Sequence, residues 1–415
     1  MLLTKMEELN SSSDEAIFYD AVSKADFDQA NNSNIETLKN PDLEIAQLEF
    51  WLRLPEFLDD ESKRNKLLEC ITKNNMAPYY QHVCSTLNWT VNTTLLNEMR
   101  DANSKALQSF EDEIEYACIH SGAIDIKQAY LNKANYLSKI GDKENTIKTL
   151  SQAYANTVDF GSKLDNVFHC IRIGLFFSDL PLIRSNLLRC EDLIEEGADW
   201  HHRNCFRIYQ GLHAIATRDF STSCELFTSS IETFVCTEVI SFDQFIKYTV
   251  LSAMIILNRS DLKKKIISNP DVLQAMHCNN SLKEFVFTFY HSEYKKFYQA
   301  LAEVEADMKR DMLLYPHYRF YVREMKIKAC DQLLSSYISL KISYMADQFG
   351  VSEDYVEDDI SHFIASKRLN YKIDKISGQI VNVRSHGRAG MFENLIKQGD
   401  LLINRIDKLS RIIDI

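Results

Sequence analysis

The residues with types and spacing closest to a chemical site are His201-His202 and the glycine-rich run at 386–390. Adjacent histidines on a helix point in different directions, so they cannot hold a metal ion together as an i, i+4 pair does. The sequence lacks His-Glu-x-x-His, the His-x-His plus Asp pattern of zinc-dependent isopeptidases, G-x-x-x-x-G-K and G-x-S-x-G. Residues 386–390 are expected to be a linker. We therefore predict no catalytic residue, no metal site and no cofactor.

The 10 cysteines are scattered, and no two of them form a C-x-x-C pair. Zinc ribbons and fingers need closely spaced thiolate pairs, so structural zinc is not expected. The sequence has no apolar run of transmembrane length, and its first residues lack the apolar core of a signal peptide. We expect reduced, mostly buried thiols, no membrane partner and a cytosolic or nuclear compartment.

The composition predicts a helical protein with more than one domain or a repeat array. Of the 415 residues, 45% are hydrophobic, which is enough for a substantial core. The 11 Gly and 6 Pro are too few turn formers for a many-stranded sandwich or barrel. A net charge of -12 disfavours a nucleic-acid partner, because phosphate binding depends on clustered cations. Residues 1–40 are expected to be a flexible acidic segment, and residues 41–120 N-terminal helices.

Residues 121–320 carry a degenerate repeat of the tetratricopeptide type. In such helical hairpins, a small residue of the first helix packs against the next helix, and a Gly-Asp-like turn joins the two. The turn positions 142, 179, 219, 261 and 293 have a spacing typical of helical repeats. This series predicts a right-handed helical solenoid, and the alternative is a non-repetitive helical domain. Its small and turn residues are Ala134, Gly141, Asp142, Gly174, Asp179, Gly211, Asp219, Ala253, Asp261 and Glu293.

Residues 321–385 are predicted to form a winged helix, in which two helices joined by a turn precede a hairpin. Gly350 is expected to end the first of these helices, and Ser352 to cap the second. Alternating apolar residues predict two strands with a turn at Ser377-Gly378. An exposed edge strand can pair with a neighbour's sheet. The wing residues expected to contact partners are Tyr371, Ile373, Ile380 and Val381.

The second helix of the winged helix would face DNA if this domain bound a duplex. Its first turns instead carry five carboxylates, which phosphate would repel: Glu353, Asp354, Glu357, Asp358 and Asp359. We therefore predict that this winged helix contacts protein and not nucleic acid.

Residues 391–415 carry apolar residues at alternating three- and four-residue steps, with Gly399 at the one gap in the series. This heptad pattern predicts a helix with an apolar seam, which must be buried on its own domain or in a bundle with helices of other chains. The seam residues are Phe392, Leu395, Leu402, Ile406, Leu409 and Ile413.

Helical repeats, a winged helix and a C-terminal helix, in this order, are the organisation of PCI-domain proteins. The chain resembles one family among them, the seventh non-ATPase regulatory subunit of the 26S proteasome regulatory-particle lid. The resemblance covers nearly everything from Pro41 onward. The stretches that carry it are residues 74–80, 300–305, 316–325, 345–351, 372–375 and 396–415.

The resemblance implies a non-catalytic structural subunit that scaffolds the lid for ubiquitin-dependent protein degradation, in the cytoplasm and nucleus. It also implies a hetero-oligomer with the other PCI subunits, the deubiquitinating subunit of the lid and the proteasome base as partners. In the lid, PCI winged helices pack side by side in a horseshoe, and the C-terminal helices gather into one bundle.

Three other functions fit parts of the pattern. One is a PCI subunit of the COP9 signalosome, which would scaffold cullin deneddylation, and a more distant one is a PCI subunit of a translation initiation factor. An autonomous repeat protein that holds client peptides belongs to a different class. A long heptad terminus disfavours this last function, because an autonomous adaptor does not need one.

Overall fold

The structure is a computed structural model that describes residues 40–57, 60–120, 122–382 and 387–413. The chain divides into two compact units. The first contains the residues up to Ala275 and Lys309–Tyr315, and the second contains Met276–Met308 and the residues from Pro316 onward. The segment 1–40 predicted to be flexible lies outside the described residues, apart from Asn40.

In the described part of the first unit, the regular secondary structure is helical. The helices are α1 Leu43–Arg53, α2 Glu61–Lys73, α3 Ala77–Leu87, α4 Thr93–His120, α5 Ala123–Ile140, α6 Lys143–Ala155, α7 Phe160–Phe176, α8 Leu180–Gly197, α9 Trp200–Ala216, α10 Phe220–Ser230, α11 Phe242–Ile256, α12 Arg259–Leu262 with a π-helical turn Lys263–Ile267, and α13 Pro270–Cys278, which crosses into the second unit.

The N-terminal helices α1–α4 share one apolar core, in which Leu67, Ile71 and Val83 are fully buried. The later segment Lys309–Tyr315 returns to this unit. The side-chain N–H groups of Gln47 and Trp51 donate to the Arg310 carbonyl oxygen at 2.5 and 2.6 Å. These bonds tie the return segment to α1.

The repeats are built on a turn that recurs three times within the first unit. A residue with positive φ follows within two positions of the end of α5, α7 and α9, namely Gly141, Ser178 and Arg218. The following aspartate donates its backbone N–H five residues back to the helix and caps the next helix with its carboxylate. The backbone N–H of the aspartate thus pairs with a carbonyl of the first helix that has no partner within that helix. Its carboxylate accepts from an N–H of the next helix that would otherwise be unpaired. The aspartates are Asp142, Asp179 and Asp219.

Small residues let the paired helices approach closely, as the repeat pattern predicts. A Cβ added at Gly174 would lie 2.7 Å from Ile183 Cγ1, and one added at Gly211 would lie 2.3 Å from Phe227 Cε1. Those distances are shorter than any van der Waals contact, so only glycine fits at either position. Local geometry therefore accounts for two of the small residues in the series.

The later members of the series are less regular. Asp261 lies inside α12 and does not cap it, because Asn258 occupies that position. The turn recurs at Ser292-Glu293, where Ser292 has positive φ and the Glu293 N–H donates to the Thr288 carbonyl at 2.9 Å. That last turn belongs to the second unit, whereas the sequence pattern had placed it with the repeats of residues 121–320.

The second unit combines two helices with the winged helix. Its elements after α13 are α14 Asn280–His291, α15 Tyr294–Lys309, a 3-10 turn Tyr315–His317, α16 Tyr318–Leu334, β1 Ser339–Lys341, α17 Ile342–Phe349, α18 Glu353–Ala365, β2 Tyr371–Asp374, β3 Gln379–Asn382 and α19 Gly387–Ile413. The three strands pair antiparallel in the order β1-β3-β2. The predicted fold class is therefore confirmed: helical repeats, a winged helix and a C-terminal helix.

Aromatic rings join the winged helix to the helices before it. The Phe349 ring lies 5.2 Å from that of Tyr294 and 5.0 Å from that of Tyr298, measured between centroids. Gly350 has positive φ and ends α17, as its position in the sequence predicts. Ser352 occupies the cap position of α18, but its side chain makes no cap hydrogen bond. That part of the prediction is wrong.

Candidate interaction surfaces

The C-terminal helix α19 presents its predicted seam to the surface. Burying one large apolar side chain contributes about 1.5–3 kcal/mol, so a stripe of them favours association. The side chain of the sixth predicted seam residue, Ile413, lies outside the described residues. The other five are between 56% and 69% exposed: Phe392, Leu395, Leu402, Ile406 and Leu409.

The exposed stripe is wider than the seam predicted from sequence. Ile396 and Ile403 lie beside the seam, are seven residues apart and are also exposed. They give the stripe three apolar positions in a heptad, which suits a helix in a bundle of several helices better than a two-stranded coiled coil. Their spacing of one heptad would have allowed both residues to be predicted from the sequence. On the opposite face, Lys397 pairs with Glu393 at 3.3 Å.

Gly399 lies at a seam position, four residues after Leu395 and three before Leu402. A glycine inside a helix costs about 1 kcal/mol relative to alanine. Among the described residues, no atom lies within 4 Å of a Cβ added there. Packing within the described chain therefore does not require glycine at this position.

The helix α19 begins earlier than the sequence indicates. Residues 387–390, which were expected to belong to a linker, form its first turn, so the helix starts at Gly387 and not at Met391. The expectation was wrong for these residues because the two glycines were taken to interrupt the helix. A continuous hydrogen-bonded helix tolerates them at an end.

The four wing residues lie in different environments. Tyr371 and Ile380 are only 7% and 1% exposed, and Ile373 is half-buried. Ile380 and Val381 lie on β3, which is the central strand and pairs with both β1 and β2. Among the four, Val381 is the most exposed, at 37%.

The side chains of Tyr371 and Ile380 belong to the core of the second unit. Their contact with a partner stays a prediction. The outer strands of the sheet are β2 and β1. Strand β1 was not predicted from the sequence, because three residues between two helices carry too short an alternation to be recognised.

The acidic start of α18 is partly neutralised within its own unit. The Asp359 carboxylate lies 3.2 Å from Lys326 Nζ, and the Glu357 carboxylate lies 2.6 Å from Lys375 Nζ. Glu353, Asp354 and Asp358 are exposed. The helix end that would face DNA thus carries exposed negative charge, which phosphate would repel.

The candidate chemical residues are engaged in ordinary structural contacts. The rings of His201 and His202 are perpendicular, at 88°, and His202 Nε2 lies 3.3 Å from an Asp165 carboxylate oxygen. Burial raises the pKa of the Cys190 and Cys330 thiols to about 12, so neither is a thiolate at neutral pH. In the described ranges, no three His, Cys, Asp or Glu residues are grouped so as to hold a metal ion.

The helices of the described part of the chain include none with the length and apolar character needed to cross a membrane.

Three family profiles match successive parts of the chain. The family described as 26S proteasome subunit RPN7 matches residues 92–265, from α4 to the π-helical turn. The PCI domain matches residues 301–384, which include the winged helix. The 26S proteasome regulatory subunit RPN7/PSMD6 C-terminal helix matches residues 393–413, within α19.

The relatives match along nearly their whole length. The 26S proteasome non-ATPase regulatory subunit 6 of Dictyostelium discoideum is 36% identical, over 91% of this chain and 98% of that protein. Its homolog from Arabidopsis thaliana is 36% identical over 92% and 99%. The 26S proteasome regulatory subunit rpn7 of Schizosaccharomyces pombe is 33% identical over 88% and 95%.

These names correct the number that the resemblance suggested. The expected designation was the seventh non-ATPase subunit, whereas the relatives are named non-ATPase subunit 6 or Rpn7. With matches that extend from the N-terminal helices to α19, the chain belongs to the family of the 26S proteasome non-ATPase regulatory subunit 6, also named Rpn7.

Proposed function

We propose that this chain is a non-catalytic structural subunit of the 19S regulatory-particle lid of the 26S proteasome. In that role it scaffolds lid assembly for ubiquitin-dependent protein degradation. The observation that carries the proposal is α19, a long helix with an exposed apolar stripe in a family whose members are named proteasome regulatory subunits. Helices of other chains can cover such a stripe.

The stripe of α19 is the proposed bundle contact. Leu402, Ile406 and Leu409 would lie near its centre, with Ile396 and Ile403 facing further helices. Gly399 would leave a hole in the seam, and a large apolar side chain of a partner helix could fill it. Knobs of one helix insert into holes of the next in packing of this type.

The wing is the second proposed contact, through its backbone. The outer strands β1 and β2 carry the backbone groups that can pair with the strand of a neighbouring subunit. Val381 would contact the partner through its side chain. The buried Tyr371 and Ile380 would instead hold the sheet in place.

The partners we propose are the other PCI subunits of the lid, its deubiquitinating subunit and the proteasome base. The complex would be a hetero-oligomer located in the cytoplasm and nucleus. The relatives found are proteasome subunits, so the COP9 signalosome is not favoured as the complex of this chain.

The test is affinity purification of the tagged full-length chain, expressed in place of the endogenous copy, followed by quantitative mass spectrometry. Lid and ATPase subunits should be recovered together in near-equal amounts. The double variant Leu402→Ala with Leu409→Ala should recover much less of them. Recovery of signalosome subunits without proteasome subunits would overturn the assignment.

Absence of catalysis is tested separately. The purified chain should leave ubiquitin chains uncleaved, with or without added zinc. Turnover that remains after every contaminating isopeptidase has been removed would contradict the non-catalytic role and leave the scaffold role standing.

A further inference from the structure

One edge of the helical repeats exposes large apolar side chains in a row. In an array of helical hairpins, the turns within hairpins lie at one edge and the connections between hairpins at the other. The first edge carries the capping residues Asp142, Asp179 and Asp219. The second edge carries six apolar side chains, between 42% and 85% exposed, here named the junction ridge: Tyr116, Ile119, Ile124, Val158, Phe160 and Trp200.

The residues of the junction ridge come from the end of α4, the connection between α6 and α7, and the starts of α5, α7 and α9. A Cβ added at Gly161, next to Phe160, would lie 3.3 Å from His202 Cε1, and α7 packs against α9. Each helix from α4 to α9 also packs against the next helix along the chain. The helix ends at the second edge therefore follow one another, and the ridge crosses three successive hairpins.

The grouping of the exposed apolar residues in the junction ridge indicates an interaction site. Single exposed apolar residues are normal on a protein surface, whereas a group rimmed by charges marks an interaction site. Tyr and Trp are the residue types that most often dominate binding energy at interfaces. Tyr116, near the end of α4, and Trp200, at the start of α9, are both more than 60% exposed.

Exposed carboxylates lie close to the residues of the junction ridge along the chain. Arg203 is exposed there, and Lys163 is half-buried, with its Nζ 5.6 Å from the centroids of the Tyr154 and Phe160 rings. A surface that combines apolar and acidic groups complements a partner with apolar and basic groups. The exposed carboxylates near the ridge are Asp112, Glu113, Glu115, Asp125, Asp159, Asp165, Glu195, Glu196 and Asp199.

We propose that the junction ridge docks a basic, amphipathic segment of a partner protein. The chain's own residues 1–40 do not suit this surface, because they contain eight Asp and Glu against three Lys. A basic segment gains both from covering the apolar row and from the nearby carboxylates. Docking at the ridge is independent of the lid assignment, since it uses neither α19 nor the wing.

The test uses the full-length chain and a synthetic peptide of about five helical turns. The peptide carries leucines at helical i, i+3 and i+4 spacing and lysines elsewhere, and a matched peptide carries glutamates in place of the lysines. Fluorescence anisotropy should show binding of the lysine peptide, with the glutamate peptide at least about tenfold weaker. No binding of the lysine peptide, or equal binding of both, would overturn the proposal.

Variants then locate the binding. Ile119→Ser with Trp200→Ser should lower the affinity for the lysine peptide by about tenfold or more, as expected for two contact residues of an interface. Leu188→Ser with Ile256→Ser removes two exposed apolar side chains outside the ridge and should change the affinity less than about twofold. Equal weakening by both pairs would overturn the proposal. If the first pair unfolds the chain, Ile124→Ser with Val158→Ser replaces it.

A charge control separates docking from general attraction to an acidic protein. Glu113→Gln with Glu115→Gln should weaken binding by about threefold or more and reduce its salt dependence. Glu225→Gln with Glu303→Gln removes the same charge away from the ridge and should have a smaller effect. Equal effects of the two pairs would mean non-specific attraction and would refute the ridge as the docking site.

Discussion

Two long helices of the second unit, α16 and α19, differ in whether their apolar side chains are buried. In α16, Tyr321, Met325 and Ala329 are fully buried within the unit. In α19, the large apolar side chains of the described residues are more than half exposed, among them Leu402 and Leu409. A helix that is buried nearly all round belongs to a core, whereas one with a single apolar stripe fits a partner on one side. We therefore expect different helices to carry the stability of this unit and its assembly with partners.

The largest effect is expected where the stripe of α19 is broken inside the assembled lid. Leu402→Ala with Leu409→Ala should cost about 2–5 kcal/mol for each leucine that partners bury. Gradient sedimentation or a native gel of lid complexes should show poor incorporation, while the melting temperature of the isolated chain stays unchanged. Asn404→Ala with Arg411→Ala, on the opposite helix face, is the matched control. Normal assembly of the leucine variant would show that the stripe is dispensable.

In α16, a substitution is expected to lower the stability of the isolated chain. Met325→Ala should destabilise the isolated chain by about 2–5 kcal/mol, because it leaves a cavity in a closed core. Denaturant unfolding monitored by circular dichroism measures the change. The control is Leu402→Ala in α19, which should stay within about 0.5 kcal/mol in the same assay. Equal losses for the two variants would remove the distinction between the helices.

A smaller change at Gly399 separates helix stability from assembly. Gly399→Leu should stabilise α19 in the isolated chain by somewhat less than about 1 kcal/mol, since glycine is a poor helix former and leucine ranks just below alanine. Slower amide hydrogen exchange across residues 395–405 would report it. In the lid, the same side chain would fill the proposed hole and lower incorporation. Asn404→Leu, on the opposite face, should not impair assembly, and full incorporation of Gly399→Leu would argue against a hole at this position.

The smallest effect is expected at the acidic start of α18. Glu353→Ala with Asp354→Ala should cost about 0.3–1 kcal/mol per charge, because both carboxylates favour the positive end of the helix. Thermal melts in low salt measure the loss. The unsubstituted chain should not retard duplex DNA at physiological salt. A mobility shift with steep salt dependence would contradict a winged helix that contacts only protein.

The sequence predicted best the features that depend on neighbours three to five residues away. The capping role of Asp142, Asp179 and Asp219 and the seam of α19 follow from spacings along one helix or one turn. The family resemblance came from such stretches as well. The cap expected at Ser352 failed despite its correct position, because the rotamer of one side chain decides whether the bond forms.

Features that depend on distant residues were decided by the tertiary structure. Alternation along the chain identifies Tyr371 and Ile380 as strand residues, but pairing with β1 is what makes β3 central and encloses Ile380. The junction ridge likewise joins residues up to 84 positions apart, from Tyr116 to Trp200, through the packing of successive helices from α4 to α9. A sequence period reports which face of an element is apolar; which faces are covered depends on the elements that pack against them.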